Sequence, residues 1–251
     1  RPARRHPLPQ RQVAAAVDVQ HGDPLGRGGR GGEHRPHPEA VEQGLEPIRG
    51  QAAAEDLADD AGEGARHQVQ PSLGLEQAIL SGWSYGPLVI LDYIRHYGEA
   101  AIGGIHFVGG ITKLGSDEAL SVLTPEFLGL VAGLLSTDAE ESVRSLESLL
   151  RMAYGREVAE PSLYQMLGYS VSVPPRVRQA LFSRSLDNDD LLPRIRKPVL
   201  ITHGAHDPIV RPIVVEKHKS RIPHAQIQMS SSAGHAPFWN DATTFNQGLR
   251  A

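Results

Sequence analysis

The sequence contains no cysteine, which excludes disulfides, thiolate metal sites and a cysteine nucleophile together. It also lacks any apolar run near the roughly 18 residues that a bilayer-spanning helix requires. The arginines at the start have no hydrophobic segment behind them, so the pattern of a secretory signal is missing as well. A cytoplasmic protein is therefore the expectation. Charge of one sign is not in excess: the net charge is −4 over 251 residues, which gives no electrostatic reason to expect nucleic acid or an anionic membrane as partner.

Further absences divide the chain in two. Residues 1–71 hold no Phe, Tyr, Trp, Met, Ser, Thr, Asn or Lys, and their one isoleucine is Ile48. In their place stand Arg, Gly, Pro, Ala and Gln, with Gly26-Arg27-Gly28-Gly29-Arg30-Gly31-Gly32 in the middle. Such a composition buries too little apolar surface to offset chain entropy, so disorder is expected over 1–71. A short amphipathic helix around Ala52–Ala61 is the one structured alternative. The missing residue types are largely those with A/T-rich codons, as if G/C-rich DNA had been read in a wrong frame or from a wrong start. A natural disordered extension would look similar. The Arg-Gly run has no interleaved aromatics and is nearly balanced by acids, so RNA binding is not read from it.

From Ser72 to residue 251 the composition is that of a globular protein. The apolar run Ala78-Ile79-Leu80 precedes Gly82-Trp83-Ser84-Tyr85-Gly86, and Leu88–Tyr97 carries apolar residues at helical spacing. Ile102–Val108, Pro198–Thr202 and Ala225–Met229 read as strands. Phe238–Leu249 reads as a closing helix. Helical patterns broken by Gly and Pro fill residues 112–190, with Val143, Leu146, Leu149 and Leu150 marking the apolar face of a helix over Val143–Tyr154. Strands alternating with helices predict an α/β fold on a mostly parallel sheet, with a helical insertion in the middle.

The Gly-x-Ser-x-Gly pattern sits where a strand should turn sharply into a helix. Small residues two before and two after Ser84 permit a tight turn that projects its hydroxyl from the carboxyl edge of the sheet, toward the amides of the following helix. With 26 glycines in the chain, the pattern alone is not rare, and its surroundings must carry the argument. A serine needs an imidazole to take its proton and a carboxylate to hold that imidazole. Asp207 follows the Pro198–Thr202 strand within His203–Val210. His235 follows the Ala225–Met229 strand within Ser230–Pro237. Groups that do chemistry in open α/β sheets gather at this edge, and the order Ser84, Asp207, His235 is the one α/β-hydrolases use. His203, His206 and His218 lack the spacing of a metal site, so no metal is expected.

On these motifs, together with Leu192-Pro193-Arg194-Ile195 and Gly234-His235-Ala236-Pro237, residues 76–251 resemble the α/β-hydrolase family, in particular its serine esterases and cofactor-free haloperoxidases. The resemblance implies Ser84 as nucleophile, Asp207 as acid and His235 as base, with the Tyr85 N–H as one oxyanion donor. It implies a helical cap at about 112–190, no cofactor, and a small-molecule ester or acyl substrate. Trp83 and Trp239 are expected at the substrate pocket or in the core around it. Two departures stand out. The family's first strands and His-Gly loop should precede the elbow, where this chain offers only Val17–Asp23. Pro87 replaces a small residue and should bias Gly86 away from helical geometry. The readings that follow are a serine hydrolase of carboxylic esters, a perhydrolase or acyltransferase with the same residues, a catalytically impaired hydrolase remnant, or a binding protein that keeps only the pocket.

Overall fold

The computed structural model describes residues 77–155 and 157–250. The expectations for residues 1–71, the short helix at 52–61 and the loop at 17–23 lie outside these residues.

Four parallel strands form the sheet in the order β1-β2-β5-β6. They are β1 (Ala78–Trp83), β2 (Ile102–Val108), β5 (Val199–Gly204) and β6 (Gln226–Ser230). Strand β2 lies between β1 and β5 and is buried along nearly its whole length. Its apolar run therefore does not alternate, as expected of a parallel strand covered on both faces. Helix α1 (Gly86–Tyr97) crosses from β1 to β2, burying Leu88, Ile90, Leu91 and Ile94. Helix α7 (Ile213–Arg221) crosses from β5 to β6 and buries Val214 and Val215. Phe107, Ile105 and Ile201 join these side chains in one core.

The insertion between β2 and β5 is a set of helices: α2 (Asp117–Ser121), α3 (Pro125–Leu134), α4 (Ala139–Tyr154), α5 (Glu160–Val171) and α6 (Pro175–Phe182). Its base is a two-stranded antiparallel ribbon of β3 (Lys113–Leu114) and β4 (Leu186–Asp187), which the sequence reading did not contain. Ser116, Thr124 and Asp138 cap α2, α3 and α4 by accepting from the amides of Ala119, Phe127 and Glu141. A side-chain oxygen at that position satisfies an amide the helix cannot pair. Helix α4 begins four residues earlier than the apolar pattern suggested, and Leu146 and Leu150 line its buried face. Val143, expected on that face, is 40% exposed.

The closing segment is two helices rather than one, α8 (Pro237–Asn240) and α9 (Ala242–Arg250). Asp241 makes the break. Its Oδ1 accepts from the Thr244 amide at 3.3 Å, and its Oδ2 accepts from the Ser230 hydroxyl at 2.8 Å. An aspartate so placed starts a new helix rather than continuing the old one.

A row of polar side chains crosses all four strands beneath α9. Thr202 Oγ1 donates to Gln228 Oε1 at 3.2 Å, and Gln228 Nε2 donates to the Thr244 carbonyl. With its proton committed to Gln228, Thr202 accepts from His106 Nε2–H at 2.8 Å. His106 Nδ1 then accepts from the Ser81 hydroxyl at 3.1 Å. The row thus has one direction and requires a neutral His106, whose pKa burial lowers from 6.5 to about 4. His218, buried under Phe107 at 5.9 Å, is also lowered by burial to about 4.

Folded, both imidazoles bind fewer protons than they do unfolded between pH 6.5 and 4. Stability is consequently full above pH 6.5 and declines as the pH falls toward 4, by on the order of a few kcal/mol in all. Urea unfolding at pH 7, 6 and 5 will show this slope, and His106→Gln will reduce it, leaving the part due to His218. A stability independent of pH over that range would contradict the neutral row.

Candidate active site

The turn from β1 into α1 is as tight as its residues predict. Ser84 has φ 58°, a left-handed conformation that is strained for any side chain bearing a Cβ and that concentrates at functional turns. The strain is held from both sides. The Ser84 amide donates to the Val108 carbonyl at 2.9 Å, and the Ile111 amide donates to the Ser84 carbonyl at 3.1 Å. Gly82 is required by space: a Cβ there would lie 2.6 Å from Gly86 C and 2.8 Å from Ile90 Cδ1. At Gly86 a Cβ would meet no described atom within 4 Å, so the two glycines of the motif are not equivalent. Gly86 opens α1 in helical conformation despite Pro87. Proline suits a first turn, where its missing N–H would have had no partner and its fixed φ matches the helix. Among the described residues no side chain caps this helix start, which leaves the Tyr85 end of α1 facing the serine with its positive dipole.

Beyond β5, the loop at Asp207 folds around its own carboxylate. Oδ1 accepts from the amides of Ile209 and Val210 at 2.8 and 2.9 Å. Pro208, with no N–H, leaves those two amides to do so. Oδ2 accepts from His235 Nδ1–H at 2.8 Å, and both side chains are almost wholly inaccessible to solvent. His203 Nε2 donates to the Val210 carbonyl at 2.9 Å and faces Asp207 Oδ2 at 3.4 Å. Burial pushes the His203 imidazole down against the pull of Asp207. His203 therefore supports the acid loop. Among the described residues no group of three or more His, Cys, Asp or Glu could hold a metal.

Two adjacent glycines at the end of β2 bring the halves together. A Cβ on Gly109, which has φ 49°, would sit 3.1 Å from the His235 carbonyl and 3.3 Å from both Asp207 Oδ2 and His235 Nδ1. A Cβ on Gly110 would sit 2.3 Å from Pro87 Cγ and 3.2 Å from the Ser84 carbonyl. One dipeptide thus touches the Asp–His pair with its first residue and the serine turn with its second. In the sequence Gly109 and Gly110 only follow the Ile102–Val108 strand. Their spacing after an apolar run was the available signal, but nothing in it says what packs on them. Trp83 closes the gap from the other side, donating Nε1–H to the His235 carbonyl at 2.7 Å.

The other expected residues fall near this cluster. Trp239 is 40% exposed and meets Tyr154 edge to face at 5.6 Å. Tyr154, at the end of α4, also packs on Trp83 at 5.5 Å. The insertion is strapped to the acid loop: the Thr124 hydroxyl donates to the Pro208 carbonyl at 2.6 Å, and the Arg211 amide donates to the Val122 carbonyl at 2.8 Å.

Comparison with known proteins identifies the fold family. Residues 49–242 match the family described as the alpha/beta hydrolase fold. The chain is 26% identical over 190 residues to a pimeloyl-(acyl-carrier protein) methyl ester esterase of Vibrio atlanticus (strain LGP32), covering 68% of each chain. Among solved structures it is similar to an esterase from Rhodococcus sp. ECU1013, with 35% identity, a TM-score of 0.67, and coverage of 72% of this chain and 67% of that one. A bromoperoxidase from Bacillus anthracis shares the fold at 20% identity and a TM-score of 0.63, covering 73% of this chain and 70% of that one.

The unequal glycines give a direct test. Gly82→Ala will cost about 1–3 kcal/mol of unfolding free energy through overpacking. Gly86→Ala will be neutral or stabilising by about 0.4–1 kcal/mol. Chemical denaturation of the two variants side by side checks the contrast, and equal losses would refute it.

Proposed function

The chain belongs to the alpha/beta hydrolase fold family, and on that premise we propose that it hydrolyses carboxylic esters through an acyl-enzyme formed on Ser84. The observation that carries this reading is the buried Asp207–His235 pair, bonded at 2.8 Å and packed through Gly109 and Gly110 against a strained serine turn. With Nδ1–H committed to Asp207, His235 presents the lone pair of Nε2, the tautomer that a general base needs. His235 removes the Ser84 proton as the hydroxyl attacks the ester carbonyl. The oxyanion settles on the Tyr85 N–H at the uncapped start of α1. The protonated imidazole then gives its proton to the departing alcohol. Water, activated by the same His235, attacks the acyl-enzyme and releases the acid.

The relatives named as esterases support an ester as substrate. Trp239, exposed beside Tyr154, supplies an apolar surface for the acyl or alcohol portion. A small-molecule ester fits this arrangement and needs no cofactor.

A fluorophosphonate probe will label the folded protein at Ser84, and Ser84→Ala will abolish both labelling and hydrolysis of p-nitrophenyl butyrate. Asp207→Asn will lower kcat by about 10³–10⁴-fold, because the imidazole loses the partner that fixes its tautomer. Hydrolysis that persists in folded Ser84→Ala would overturn the proposal.

A further inference from the structure

The geometry points to Trp83 as a positioning residue that holds His235 in register with Ser84, an inference that rests on the proposed serine mechanism. In the sequence Trp83 is the residue before Ser84, expected at the pocket or in the core around it. In the fold it is the last residue of β1 and reaches across to a loop 152 positions away. The indole has one donor and no acceptor, and that donor is spent on the His235 carbonyl at 2.7 Å. The indole also lies against the imidazole itself, with ring centroids 5.2 Å apart.

The His235 loop needs such a hold. It runs through Ser230-Ser231-Ser232-Ala233-Gly234, small residues that bring little buried surface and much freedom to lose on ordering. Asp207 fixes Nδ1, which sets the ring's tautomer and one end of its axis. The backbone on either side is held by the His206 amide on the Ala233 carbonyl at 3.1 Å and the Trp239 amide on the Ala236 carbonyl at 2.9 Å, and the Trp83 N–H adds a hold on the carbonyl of His235 itself. Gly109 leaves only 3.1 Å for a Cβ next to the same carbonyl, so the carbonyl is confined from two directions. The indole is in turn confined. Phe238 meets it edge to face at 5.2 Å and 89°, and Tyr154 meets it at 5.5 Å.

Covalent adjacency gives the arrangement its consequence. Trp83 and Ser84 are neighbours in the chain, so whatever moves the turn carrying the nucleophile also moves the group that holds the base. The distance between the two reacting groups is then set through this side chain as well as through the β2 end that both halves pack on. A shift of about 1 Å in such a distance costs on the order of 100-fold in rate.

A residue that lines the acyl pocket and a residue that positions the base predict different kinetics. Trp83→Phe keeps an aromatic ring and removes the N–H. It is measured beside the unaltered protein with p-nitrophenyl acetate, butyrate and octanoate. Expected is a fall in kcat of about 10- to 100-fold, similar for all three esters, with KM and the order of preference among them unchanged. A changed chain-length preference or KM with kcat nearly intact would overturn the inference and make Trp83 a pocket wall. An unchanged kcat would overturn it as well. Should Trp83→Phe melt well below the unaltered protein, Trp83→His supplies the second measurement, since it retains a ring N–H. A kcat closer to the unaltered value than that of Trp83→Phe supports the inference, and an equal loss refutes it. Ser84→Ala in the same series separates the premises: if it remains active, the serine mechanism itself has failed, whatever Trp83 does.

Discussion

A carboxylate with no solvent around it is the constraint on which this site is built. The Asp207 side chain is 0% exposed, and removing an ion from water costs several kcal/mol unless its lone pairs are met by well-placed donors. Two amides of its own loop meet one oxygen, and His235 meets the other. The loop that supplies the amides is fastened to the helical insertion through Thr124 and Val122. The insertion is thus joined to the loop that holds Asp207. Removing His235 would leave a buried charge short of a partner, so its loss would weaken the fold as well as the chemistry.

Much of this was legible in the sequence because the signals were local. Strand, turn and helix around Ser84 are written in consecutive residues: an apolar run, a small residue on each side, and a helical period. The acid and base lie just past strands of recognisable composition, and the chain order limits how they can meet. What remained hidden is contact across the chain. No local pattern says that Gly109 packs under His235, that Gly110 packs on Pro87, or that the indole of Trp83 bonds a carbonyl 152 residues away. The split of the closing helix at Asp241 was missed for a related reason. The aspartate caps the second helix locally through Thr244, and Ser230, at the end of β6, anchors its other oxygen from across the chain.

The helical insertion shows how propensity and packing divide the work. Three of its five helices start where Ser116, Thr124 and Asp138 supply side-chain caps, a rule that holds without tertiary context. Which face turns inward depends on the neighbours. Val143 lies on the apolar stripe by period but near the start of α4, where Leu146 and Leu150 already fill the core contact.

The one-directional row of Ser81, His106, Thr202 and Gln228 has a consequence for how the sheet assembles. In a pleated strand, a slip of one residue sends every side chain to the opposite face. Such a slip in β1, β2, β5 or β6 would strand a buried imidazole among hydrocarbon and break a chain in which each hydroxyl has only one proton to give. Apolar side chains alone discriminate offsets less sharply, since a core of similar volume can often be repacked. The polar row accepts only one alignment, so it acts as a proofreading mark for strand pairing. That alignment sets Trp83, the residue before Ser84, opposite Val108, and Val108 opposite Thr202.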